Sequence, residues 1–224
     1  MCRRMSLAAD LREVTDYFQI DQVMFHYKLR YNISPTQNMP VIVMQNGERL
    51  LDDFRWGLVP YWGKDAVNAE LDRVHVNPAY HHMIGRQRCV IPCNGLYYWR
   101  KVGKRTYPMR VITSNQSLFG IAGLYEIWRD ARGEPIRTCS LVMTDTNTLI
   151  REFGTRMPAF LSPEEMNIWL DHDITDMRIL RSLLRPYPDA WMHAYPVSPV
   201  IDNDLYDNSE CIQEMNLKTA WVKN

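Results

Sequence analysis

Apolar residues at Leu7, Leu11, Val14 and Phe18 recur at the spacing of one helix face. Ser6 stands where an N-cap belongs and Asp10 in the first turn, so a short amphipathic helix is predicted over 7–18. The pattern then changes to short runs rich in branched and aromatic residues. Tyr31 to Thr36 is extended and ends in a turn. Pro40 to Met44 is a strand, Asn46-Gly47 a turn, and Leu50 to Trp56 the returning strand. Further strands are predicted at Cys89 to Pro92, Tyr107 to Ile112, Leu118 to Leu124 and Thr138 to Thr144, with turns at Asn115-Gln116 and Arg132-Gly133. Helical spacing returns near the end. Ser162-Pro163-Glu164-Glu165 sets an N-cap, a first-turn proline and two acids on the positive end of a helix, and a second helix is predicted from Asp176 to Leu184. Helices flanking many short strands point to an α+β fold around a mostly antiparallel, barrel-like sheet. No repeat or linker interrupts the chain, so a single domain is expected over 1–224, with its core at about 2–214 and a tail from 215.

Composition changes this picture little. The 224 residues are 46% hydrophobic and 23% charged, with 26 basic and 26 acidic side chains. Zero net charge argues against a surface that coats nucleic acid by charge alone, and leaves room for a local basic groove. No apolar run approaches the roughly 20 residues that span a bilayer, and Met1 to Ser6 has no apolar stretch after its arginines, unlike a secretory signal. Five scattered cysteines, Cys2, Cys89, Cys93, Cys139 and Cys211, suit free thiols in a reducing cytoplasm.

Chemistry enters at Cys2. A small residue in second place permits removal of Met1, which would leave Cys2 with an α-amine and a thiol on adjacent carbons. This 1,2-aminothiol condenses with aldehydes: the amine forms a Schiff base and the thiol closes a thiazolidine ring. The α-amine titrates at about 7.7 to 8.0 and is partly nucleophilic at pH 7. The neighbouring Arg3 and Arg4 are expected to favour the thiolate.

Several segments in order carry a resemblance: Met1-Cys2, Tyr31 to Gln37, Arg55 to Trp62, Val67-Asn68-Ala69, Arg88 to Pro92, Gly95 to Trp99, Ala122 to Tyr125, Arg156-Met157-Pro158 and Tyr195 to Ser198. Together they resemble the SRAP family, the SOS-response-associated, abasic-site-processing proteins, over nearly the whole chain. The resemblance implies one α+β domain that binds single-stranded DNA and DNA junctions, with Cys2 joined to the ring-opened abasic aldehyde as a thiazolidine. It also implies loss of Met1, from which a thiol autopeptidase activity has been inferred. Cys2 and Asn68 match the family's active-site pattern. The family's acid/base glutamate is here Tyr98, its ring-opening histidine is Gly154, and a DNA-facing arginine is Glu70. The opening also departs, with Arg3 and Met5 in place of the usual glycine and phenylalanine.

Asn68 is a candidate to orient the Cys2 amine or the sugar, with a turn-capping role as the alternative. Tyr98 is a candidate proton donor, although a phenol near pKa 10 replaces a carboxyl acid poorly. For DNA the candidates are Arg3, Arg4, Arg55, Arg88 and Arg156, together with Arg151, whose guanidinium forks suit phosphate oxygens; each is equally suited to a structural ion pair. Trp56, Pro60, Tyr61 and Trp62 form an aromatic-rich stretch suited to stacking on bases or to core packing. Arg100, Lys101, Lys104 and Arg105 make a basic hairpin around Gly103. Cys89, Cys93, His81 and His82 fit no standard zinc spacing, so neither a metal nor a cofactor is expected. Three functions stand in order: a DNA-binding, cytoplasmic monomer that traps abasic sites with impaired activity, a retired relative acting as a DNA- or protein-binding module, and an autopeptidase acting on Met1.

Overall fold

The computed structural model describes residues 2–58, 67–70 and 78–216. It corrects the start of the first helix. Met5–Leu7 is a fully buried strand, β1, and helix α1 spans Leu11–Phe18 with Asp10, not Ser6, as N-cap. The Asp10 carboxylate accepts from the Glu13 backbone N–H, and the Glu13 side chain accepts from the Asp10 N–H, a reciprocal capping box. Ser6 is engaged elsewhere, its hydroxyl donating to Asn94 Oδ1 at 2.8 Å. Leu7 satisfies the helical spacing by coincidence of one strand residue with the face that follows it.

After α1 come β2 (Gln22–Val23), β3 (Arg30–Ile33), β4 (Asn38–Gln45) and β5 (Glu48–Trp56). Asn46 and Gly47 join β4 to β5 with φ of 52° and 81°, the double positive φ that a two-residue hairpin turn requires. Next are β6 (Asn68–Glu70), helix α2 (Pro78–Arg86), β7 (Arg88–Cys93), β8 (Gly95–Val102), β9 (Arg105–Thr113), β10 (Phe119–Arg129) and β11 (Pro135–Thr144). The chain ends through α3 (Thr148–Arg151), β12 (Met157–Pro158), β13 (Phe160–Leu161), α4 (Pro163–Leu170), α5 (Met177–Ser182) and β14 (Met192–Pro196). Ser162 caps α4 in a second capping box with Glu165, and Asp176 caps α5.

Strands β11, β10, β7, β4 and β5 lie side by side in antiparallel order, and β5 then returns to β11 through a short parallel contact, Thr138 with Arg55 and Cys139 with Trp56. That contact closes a five-stranded barrel. A second sheet runs β14-β9-β8-β1-β3. Alternation along the barrel strands sorts their side chains. Met39, Val41, Val43, Cys89, Ile91, Cys93, Phe119, Ile121, Cys139 and Leu141 share one cluster with Cys2, Met5, Leu96 and Tyr98 of the second sheet and its leading segment. Intervening residues such as Ile42, Val90, Ala122 and Val142 face a separate cluster, which α1, α4 and α5 cover with Val14, Phe18, Trp169 and Leu180. The expected α+β domain with a mostly antiparallel barrel and flanking helices is therefore the observed one. Among the described residues no helix is long and apolar enough to cross a membrane.

Candidate active site at Cys2

Cys2 is fully buried where β1 leads into the core, beside β8. The Tyr97 backbone N–H donates to the Arg4 carbonyl at 3.0 Å, which extends the β1–β8 pairing back towards it. The Cys2 thiol points its proton at the Arg4 carbonyl, 3.5 Å away. Burial dominates its chemistry and pushes its pKa up to about 12. The expectation that Arg3 and Arg4 would favour the thiolate is corrected. Arg3 is exposed, and Arg4 bonds Asn32 Oδ1 at 2.8 Å, the Asp202 carbonyl at 3.1 Å and the Asp204 carboxylate at 2.5 Å.

Asn68 reaches the same place from β6, which lies parallel to β11 with Asn68 opposite Leu141. Its Nδ2 donates to the Cys2 carbonyl at 3.0 Å. Its Oδ1 is buried and has no hydrogen-bond partner among the described residues. Asn68 is thus a clamp on the Cys2 main chain with an acceptor left over. Tyr98 on β8 is 2% exposed, and its hydroxyl is likewise buried without a described partner. Burial raises the phenol well above its ordinary pKa, and negative charge on Cys2 or Cys93 would raise it further. Cys93 was not singled out with the Cys2 chemistry, yet its thiol, pushed up to about 12 mainly by burial, senses the same neighbours. The alternation of Cys89, Ile91 and Cys93 on one strand face was the available signal.

Gly154 closes the other side. A Cβ placed on it would stand 3.7 Å from two carbons of the Tyr98 ring, in ordinary contact. Phe153 packs on the same ring with centroids 6.3 Å apart. Room for anything longer than a methyl at 154 is limited by Tyr98, so the two positions that the resemblance matches to a glutamate and a histidine are neighbours in space.

The arginines and aromatics expected at a DNA surface divide sharply. Arg88 and Trp56 are core residues, which corrects the expectation for both. Arg88 is fully buried, and its guanidinium donates to the carbonyls of Trp169, Ile84, Gly85, Asp171 and Ile174. Trp56 is fully buried, with Nε1 donating to the Val67 carbonyl at 3.0 Å. Arg4 is held by Asp204, Arg55 donates to the Gly57 carbonyl at 2.8 Å, and Arg156 pairs with Asp145. Pro60, Tyr61 and Trp62 lie outside the described residues. Arg151 and the hairpin residues Arg100, Lys101, Lys104 and Arg105 are exposed, with Arg100 paired to Glu152 at 3.3 Å. Cys89 and Cys93 are buried on β7, and no three metal-binding side chains come together among the described residues.

Sequence reasoning also passed over the segment 199–212, three-ten turns without a hydrophobic period. Its Asp207 accepts from the Tyr31 and Asn32 N–H groups and pairs with Arg30, and its Asp204 holds Arg4, so it straps the strands behind Cys2.

The buried thiols make an alkaline limit predictable. An unfolded thiol titrates near 9.0, whereas Cys2 and Cys93 are pushed up to about 12 in the folded chain. Their contribution to stability is full below pH 9 and is lost as pH rises towards 12, because ionisation then favours the unfolded state. The urea midpoint should fall steadily above pH 9, and a flat profile from pH 8 to 10.5 would contradict the burial described here.

The buried Cys2, its carbonyl gripped by Asn68, and the buried Tyr98 beside Gly154 make up the candidate site. A family model described as SOS response associated peptidase (SRAP) matches residues 1–204. The abasic site processing protein YoqW of Bacillus subtilis (strain 168) is 33% identical over 222 residues, covering 95% of this chain and 99% of the relative. The chain belongs to the SRAP family. The abasic site processing protein HMCES of Rattus norvegicus is 25% identical over 232 residues, covering 84% of this chain and 65% of the relative. A crystal structure of a Bacteroides thetaiotaomicron protein superposes with a TM-score of 0.82 at 24% identity, covering 96% of this chain and all of that one, and shares its fold.

Proposed function

We propose that this protein processes abasic sites: it binds single-stranded DNA and traps the ring-opened abasic aldehyde on Cys2 as a thiazolidine, once Met1 is removed. The observation that carries this reading is the Asn68 clamp. Its amide holds the Cys2 carbonyl at 3.0 Å and leaves a buried oxygen without a described partner, which in this reading accepts from the Cys2 α-amine. The abasic-site-processing names of the relatives supply the substrate class. The amine attacks first, because a thiol pushed up to about 12 stays protonated at neutral pH. Phosphates are met by the exposed Arg3 and, at the cost of their present partners Asp145 and the Gly57 carbonyl, by the half-buried Arg156 and Arg55.

The reaction is slow. General acid–base help contributes about 10²- to 10⁴-fold, and the family's carboxylate and imidazole are here Tyr98 and Gly154. Aminothiol condensation nevertheless proceeds without a catalyst, and a covalent trap turns over once.

The test is intact mass and a denaturing gel after incubation with single-stranded DNA carrying one abasic site. A denaturant-resistant adduct is expected with the wild-type chain and none with Cys2→Ala. Absence of an adduct from protein whose Met1 is shown to be gone would sink the proposal and leave a retired relative that binds without reacting.

A further inference from the structure

We infer that Tyr98 acts in this site as a neutral hydrogen-bond donor to the aldehyde-derived oxygen, with Asn68 Oδ1 as the matching acceptor for the amine. The inference rests on the proposed reaction at Cys2 and assigns its polar partners. Two buried polar atoms near Cys2 lack a described partner: the hydroxyl of Tyr98, which shares the core cluster of Cys2, and Oδ1 of Asn68, whose Nδ2 bonds the Cys2 carbonyl. Asn68 is fixed to Cys2 by a hydrogen bond, and the Tyr98 phenol senses charge on the Cys2 thiol. Buried polar groups are nearly always satisfied, so a pair of orphans beside a nucleophile marks where a guest's polar atoms belong. The pair also has the right polarity. A carbinolamine carries an oxygen that needs a donor and an N–H that needs an acceptor.

The step balances without a carboxylate. The Cys2 amine adds to the aldehyde carbon, and its proton passes to the former carbonyl oxygen, giving the neutral carbinolamine. The C–O bond then breaks. The departing hydroxide takes the Cys2 thiol proton and leaves as water, and the thiolate adds to the iminium carbon to close the ring. Tyr98 gives up no proton in this scheme. Its hydrogen bond holds the oxygen as charge grows there, and burial keeps the phenol protonated throughout the neutral range.

Tyr98→Phe tests this, because it keeps the ring and removes only the hydroxyl. Adduct formation with abasic single-stranded DNA should slow about 10²- to 10³-fold, the range for loss of one donor to a developing oxyanion. The melting temperature should hold or rise, since an unpartnered buried hydroxyl is lost, and noncovalent binding to the same DNA should not change. An equal rate in Tyr98→Phe beside a reactive wild type overturns the role of Tyr98 and leaves the Cys2 reaction standing. A slower rate accompanied by a lower melting temperature and weaker DNA binding also overturns it, in favour of a packing role. A wild-type chain that forms no adduct removes the Cys2 reaction itself, and this inference with it.

Discussion

Arg88→Ala is expected to cost about 4 kcal/mol of folding stability, because it strips the donor from several buried acceptors at once. The guanidinium is fully buried and ties α2 to the end of α4 through five carbonyls, those of Ile84 and Gly85 on one side and Trp169, Asp171 and Ile174 on the other. Water cannot replace it in that setting. Arg88→Lys offers one ammonium in place of a planar fork and should recover only part of the loss. Arg88 touches no surface from which to reach a phosphate, so the salt dependence of DNA binding by the folded variant should keep the wild-type slope. Urea melts and a salt titration of binding decide the matter. A variant as stable as wild type, with a shallower salt slope, would return Arg88 to the DNA surface.

A second large effect is expected from putting the family's two residues back. Gly154→His alone forces an imidazole against the Tyr98 ring, whose carbons already lie 3.7 Å from the Cβ position. Overpacking of this kind costs about 1 to 3 kcal/mol. Tyr98→Glu alone places a carboxyl in a site that is 2% exposed and loses the ring's contact with Phe153, at a cost of about 2 to 4 kcal/mol. Together the changes should relieve one another, since the shorter glutamate frees the volume the imidazole needs and gains a charged partner. The double variant should be about 1 to 3 kcal/mol more stable than the sum of the single effects predicts. It should also form the abasic-site adduct faster than wild type, by up to about 10²- to 10⁴-fold. Strict additivity in the melts, with no gain in rate, would mean that the two replacements are independent and that the contact at Gly154 is incidental.

The hairpin at Asn46-Gly47 and the helix at Ser162-Pro163 were legible because short-range chemistry fixes them: two positive φ values in one case, a cap and a first-turn proline in the other. The barrel class was legible from the number and kind of strands. The start of α1 was not, because Leu7 belongs equally to a helical face and to a strand, and only the pairing of Met5 with Ile33 and Leu96 decides between them. Motif and resemblance single out Cys2 and Asn68 together, and the folded chain joins them by a hydrogen bond. The arginines were the least legible. Arg88, Arg4 and Arg156 are alike in sequence, but one is sealed in carbonyls, one is held by a distant aspartate and one is paired at the rim. Most of these partners lie about 10 to 200 residues away, where no local pattern encodes them.

The parallel seam that closes the barrel joins β5 to β11 across about 80 residues of chain. Contacts of such long range form late, after the entropy of a large loop has been overcome. Until Pro135–Thr144 docks, β2 covers that side of β5 only at Leu50 and Leu51, so the Arg55–Trp56 end stays open and any chain that stops short of β11 is an unfinished sheet prone to pairing with its neighbours. The same strand receives Asn68, opposite Leu141, two residues beyond the contact that seals the barrel. Closing the barrel and setting the amide that grips Cys2 therefore depend on the same strand, and a chain in which β11 has not docked lacks both.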